Sequence, residues 1–228
     1  MKSIAQNLQC LYKQIVGAEQ KYGRRAGSVT LLAVSKTHPA EKICMAVEAG
    51  QRHFGESYEQ EGERKIREIG DPRLIWHFIG PIQSNKARGI AENFSWVHSL
   101  DRLKIARRLN DMRPTALPPL NVCIQLNISG ETTKSGIDPE QLANLAVQVT
   151  ALPRLRFRGL MAMPAQNEDF EVQRCTFRKL RGYFEQLQAG GYDLDTLSMG
   201  TTGDMEAAIA EGATIVRIGT AIFGPREY

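Results

Sequence analysis

A regular alternation limits what this chain can fold into more than any other feature. Eight short apolar, β-prone runs, at about 30–36, 52–56, 74–80, 96–100, 120–127, 155–162, 196–200 and 214–219, alternate with stretches of helical spacing. The first run shows no polar/apolar alternation, so both of its faces are expected to be buried, as in a parallel strand covered on each side. Strand and helix in alternation imply a parallel sheet. Eight units favour a closed (β/α)8 TIM barrel, whereas the rival flavodoxin-like sheet needs only five or six strands. Residues 3–22, with Ile4, Leu8, Leu11, Ile15 and Ala18 at helical spacing, add an extra N-terminal helix ended by Gly23. Pro114, Pro118 and Pro119 mark a connection, not a linker, so residues 1–228 are expected to form a single barrel domain. Among helix starts, Pro39 opens one helix, Pro139 sits in the first turn of another, and Asp101 is the expected N-cap of a helix over 102–112.

Composition removes several function classes. A net charge of +4 with no long lysine or arginine block argues against a nucleic-acid partner. No apolar run approaches the ~20 residues of a membrane span. The first residues lead into an amphipathic helix and not a signal peptide, which predicts a cytoplasmic protein. Cys10, Cys44, Cys123 and Cys175 lack metal-ligand spacing and lie in apolar-patterned segments. They are expected to be reduced core residues, with no metal site.

In such a barrel the chemistry lies where strands end. The exits carry Lys36, Gly55-Glu56-Ser57, His77, Asn127, Met161, Ser198-Met199-Gly200 and Arg217-Ile218-Gly219-Thr220. Lys36 is either a desolvated amine able to attack an aldehyde or a lysine that has left the strand for solvent. Two loops, Ser198 to Asp204 and Ile218 to Thr220, follow the seventh and eighth strands, where barrels commonly bind phosphate. Their glycines admit an anion close to the backbone, and their hydroxyls donate to it. Arg217 is either an ion-paired exterior residue or a ligand contact. Barrel closure makes the first and last strands neighbours, so Lys36, Arg217 and the phosphate loops converge. A lysine nucleophile beside a phosphate site calls for pyridoxal 5′-phosphate. His77 is either a pocket residue or a structural histidine. Lys134 is either a second amine that relays cofactor or a solvated loop lysine. Glu56, Asp204 and Glu206 pair with Arg217 or cap helices, and Trp76, Trp96 and Phe223 pack the core.

Stretches along almost the whole chain carry a resemblance: LLAVSKTHPA (31–40), FGESYEQE (54–61), WHFIGPIQSNK (76–86), NVCIQLNIS (121–129), RGLMAM (158–163), LSMG (197–200) and DMEAAIAEGATIVRIGTAIFG (204–224). The chain resembles the pyridoxal-phosphate homeostasis protein family (YggS/PROSC-like), which looks like the barrel domain of alanine racemase standing alone. The resemblance implies a Schiff base on Lys36 and Arg217 facing the pyridine nitrogen. It implies a phosphate held by Gly219 and Thr220 with Ser198, Gly200 and Thr202. Ser57, His77 and Met161 are expected around the pocket. It implies no catalytic residue in the strict sense, but a carrier that supplies cofactor to apo-enzymes. The alternative is an amino-acid racemase of low activity, which needs a base on each face of the substrate. Racemases of this type draw the second base from a partner's β-domain. This chain is expected to lack that domain, which favours a carrier and a monomer. Two departures from the family pattern stand out. Gly-Met-Ser-x-Asp-Met-Glu becomes Gly200-Thr201-Thr202-Gly203-Asp204-Met205-Glu206, and FGEN becomes Phe54-Gly55-Glu56-Ser57.

Overall fold

The computed structural model describes residues 3–129 and 135–225. Strands β1 (Thr30–Val34), β2 (His53–Glu56), β3 (Ile75–Phe78), β4 (Trp96–Leu100), β5 (Leu120–Gln125), β6 (Leu155–Met161), β7 (Thr196–Ser198) and β8 (Ile215–Ile218) form a closed barrel in chain order. All the pairings are parallel, and β1 closes on β8 with Leu32 opposite Arg217. Closure excludes the flavodoxin-like sheet. Leu31, Leu32 and Ala33 are buried, as the lack of alternation in that run requires.

Among the described residues the helices are α1 (Ile4–Lys21), α2 (Ala40–Glu48), α3 (Glu59–Ile69), α4 (Ala87–Asn93), α5 (Leu103–Met112), α6 (Leu142–Thr150), α7 (Phe170–Ala189), α8 (Met205–Ala210) and α9 (Thr220–Phe223). Short 3-10 turns at Ser84–Lys86 and Pro139–Gln141 lead into α4 and α6. Helix α1 is started by a capping box between Ser3 and Gln6. It buries Leu8, Leu11, Ile15 and Ala18 and packs against α2, α8 and α9. The Asn7 side-chain amide donates to the Ile222 carbonyl in α9 at 2.9 Å, tying the added helix to the segment that follows the last strand.

Several expectations are corrected. Asp101 does not cap α5: the N-cap is Arg102, and the Asp101 carboxylate takes the Arg102 guanidinium instead, at 2.7 Å. Of the cysteines only Cys123, inside β5, is buried; Cys10, Cys44 and Cys175 are exposed. Those three lie on helices, beside the apolar stripe and not in it. Helix α9 was not foreseen, because four residues after a strand carry no period. Lys134 lies outside the described residues. Between β6 and β7 the backbones approach so closely that a Cβ on Gly159 (φ +154°) would stand 1.8 Å from the Thr196 carbonyl oxygen. Only glycine fits there.

Candidate cofactor-binding site

A cavity of about 490 Å3 opens at the C-terminal mouth of the barrel, within the roughly 300–1,000 Å3 common for small-molecule sites. Lys36, His38, Ser57, Thr201, Thr202, Gly203, Arg217, Gly219 and Thr220 line it, with Val34, Ile79 and Met163 as apolar wall. The expected convergence of strand one, strand eight and the last two loops is therefore present.

Lys36 stands just past β1, half-buried, between two residues that are tied down. The Ser35 hydroxyl donates to Glu56 at 2.6 Å. The Lys65 ammonium donates to the Ser35 carbonyl (2.8 Å), Glu56 (2.9 Å) and Glu61 (2.6 Å). The Thr37 N–H donates to Glu61 at 2.6 Å. Thr37 holds φ at 67°, and it is the one non-glycine among the described residues with positive φ. For a branched residue that conformation costs roughly 1–2 kcal/mol, and the Glu61 hydrogen bond helps to hold it. Lys65 and Glu56 are buried at 1% and 0% exposure. Burial raises the Glu56 pKa, and the Lys65 charge and Ser35 hydroxyl oppose that rise. Sequence reasoning missed this cluster. Its available signal was the Glu61/Lys65 pair at i,i+4 on α3.

Arg217 points inward, which settles its alternatives against an exterior ion pair. One guanidinium nitrogen donates to the Ser198 hydroxyl at 2.8 Å and the other to the Ala162 carbonyl at 2.9 Å. Burial pushes its pKa down to about 10, with the Asp204 charge opposing. The expected acidic partners are engaged elsewhere: Glu56 with Lys65, and Glu206 with Lys21. Asp204 accepts from the Thr201 N–H and hydroxyl at 2.5 and 2.8 Å, pinning the loop after β7.

Ser57, Thr202, Gly219 and Thr220 lie in the cavity wall, as expected. Ser198, Gly200, His77 and Met161 do not. Ser198 is fully buried, its hydroxyl held between Arg217 and the His98 imidazole (2.7 Å). Gly200 turns the chain at φ +96° against α8, where a Cβ would stand 2.6 Å from that of Ala208. Met161 is fully buried, and Met163, two residues on, faces the cavity instead. His77 lies inside the barrel, bonded to His98 at 2.8 Å and His53 at 3.0 Å.

Burial keeps these imidazoles neutral. It pushes His98 down to about 3 and His77 well below its usual value, with nearby positive charge adding to the shift. An unfolded histidine takes its proton near 6.5, so the unfolded chain binds more protons below that pH. Stability is therefore expected to fall as pH drops through 6.5, by about 2 kcal/mol at pH 5 from His98 alone, with His77 acting in the same direction. Urea unfolding at pH 7 and pH 5 measures the loss, and His98→Gln should reduce it.

A closed parallel barrel with a lysine leaving its first strand and an arginine on its last defines the class. A family model for the N-terminal domain of alanine racemase matches residues 7–227. The chain belongs to this family, and within it to the pyridoxal phosphate homeostasis proteins. The Vibrio cholerae protein of that name is 54% identical over 232 residues, covering 100% of this chain and 98% of that protein. The Pseudomonas aeruginosa protein of the same name is 55% identical over 228 residues, covering 100% and 98%. PipY of Synechococcus elongatus, solved with PLP bound, superposes with a TM-score of 0.86 at 37% identity, covering 97% of this chain and 100% of PipY. An alanine racemase of Clostridium difficile shares the fold alone, with a TM-score of 0.72 at 15% identity over 95% of this chain and 57% of the racemase.

Proposed function

We propose that the chain is a carrier of pyridoxal 5′-phosphate, holding the cofactor covalently on the Lys36 amine and supplying it to apo-enzymes. The observation that carries this reading is the meeting of Lys36, Arg217, Thr202, Gly219 and Thr220 in one cavity. The donor set fits the group. A guanidinium has five N–H donors, and Arg217 uses two of them on Ser198 and Ala162, leaving others for the cofactor. Bound there, the cofactor supplies an aldehyde, which condenses with a primary amine and releases water. Lys36 offers that amine. Arg217 would hold the ring nitrogen, where a cationic donor would disfavour protonation and so weaken the ring as an electron sink. The Thr202 and Thr220 hydroxyls, with the backbone at Gly203 and Gly219, hold the phosphate. The names of the relatives and the PLP-bound PipY structure support the reading. It includes a cytoplasmic, monomeric protein. Among the described residues no helix is long and apolar enough to cross a membrane.

The test begins with cofactor-free protein. Added pyridoxal phosphate should give a visible absorbance, and borohydride should fix its mass on the peptide containing Lys36. A cofactor-free aminotransferase should then draw the absorbance away from unreduced protein. Label on any other residue would overturn the assignment. Sustained conversion of L- to D-alanine would replace the carrier with a racemase.

A further inference from the structure

Four side chains outside the cavity, three of them fully buried, form one continuous line. Arg217 donates to Ser198, Ser198 bonds His98 Nδ1, His98 Nε2 meets His77 Nδ1, and His77 Nε2 meets His53 Nδ1. The line crosses the barrel interior from β8 through β7, β4 and β3 to the first residue of β2. We propose that His53, His77, His98 and Ser198 are a proton-ordered positioning chain that fixes how Arg217 donates toward the cofactor.

The direction follows from chemistry. A guanidinium is a donor only, so the Ser198 oxygen must accept at 2.8 Å. The other hydrogen-bond partner of that hydroxyl among the described residues is His98 Nδ1, at 2.7 Å. The serine proton therefore points to His98, whose Nδ1 accepts. A neutral imidazole that accepts at Nδ1 carries its proton on Nε2. His98 Nε2–H then donates to His77 Nδ1, and His77 Nε2–H donates to His53 Nδ1. All three histidines are thus Nε2–H tautomers. Reversing the order would leave the Ser198 proton buried without an acceptor, and a charged imidazole would set two donors against each other. The Trp96 ring lies nearly parallel to His77, with centroids 5.5 Å apart, and holds that ring's plane. His53, half-buried at the start of β2, ends the line. The functional consequence rests on the pyridoxal phosphate reading; the proton order belongs to the protein without cofactor.

Two measurements separate these. In cofactor-free protein, 15N NMR of the histidine rings should show His53, His77 and His98 as neutral Nε2–H forms at pH 7. An Nδ1–H form or an imidazolium at His98 would overturn the order. In loaded protein, Ser198→Ala and His98→Phe should shift the visible band of bound pyridoxal phosphate and weaken its binding about tenfold, the size of one lost hydrogen bond to a charged group. His98→Gln, which can accept at one end and donate at the other, should restore band and affinity. Should His98→Phe not fold, Ser198→Ala carries the test alone. A folded Ser198→Ala protein with unchanged band and affinity would sink the positioning role while leaving the carrier reading intact. Wild-type protein that takes up no cofactor would remove the carrier reading and the positioning role, and leave the NMR result to decide the proton order.

Discussion

A Lys65→Met variant is expected to lose about 3–5 kcal/mol of stability, the cost of breaking a buried ion pair from one side. For a chain of 228 residues that is a fall of roughly 6–20 °C in Tm. The effect is large because Glu56 is wholly buried, and Lys65 is the ammonium beside it at 2.9 Å. Without that charge Glu56 keeps only the Ser35 hydroxyl, and burial raises its pKa further. The folded carboxyl then holds a proton that the unfolded one has released, so stability falls as pH rises above about 4.5, the ordinary value. The loss should be greater at pH 8 than at pH 5. Urea unfolding at both values checks the sign, and Glu56→Gln in the same chain should recover part of the loss. Equal loss at both pH values would mean that Lys65 acts by packing and not by charge.

The second large effect is expected at Lys36. Lys36→Ala protein should give no borohydride-stable adduct and should shed cofactor on desalting. On the proposed reading, what would remain is non-covalent contact from Arg217 and the loop hydroxyls. Lys36→Arg should fail equally, because a guanidinium keeps the charge but never presents a neutral amine. Circular dichroism controls for the fold. Wild-type levels of reducible cofactor in either variant would move the attachment point elsewhere.

The barrel was legible because period and length are written locally: unalternating short runs between helical stretches leave few other solutions. Lys36 and Arg217 were legible because a charge at the end of, or inside, an apolar run is conspicuous. The finer site was not. Ser198 ends β7 and Thr202 lies in the loop after it, and the turn at Gly200 between them decides which hydroxyl faces the barrel interior and which the cavity. His53, His77 and His98 share no sequence spacing. They meet because they stand on consecutive strands, a relation that exists only once the register of the closed barrel is set. Each lies in a strand-like run, and that was the available clue. Lys65 and Glu61 read as an ordinary charged helix, since solvent exposure and burial look alike in such a pattern. The cysteines misled for the converse reason: an apolar segment on a helix still has an outer side.

On the proposed carrier reading, the chain must both seize and surrender its cargo, which sets grip against release. The backbone on each side of Lys36 is already held, by Lys65 at the Ser35 carbonyl and by Glu61 at the Thr37 N–H, with Glu56 holding the Ser35 hydroxyl. Little order remains to be gained there when cargo arrives, and none has to be undone when it leaves. Exchange would then be governed by bond chemistry and by access to the cavity. Unloading kinetics should accordingly follow the concentration of competing amine, with no slow conformational phase ahead of it.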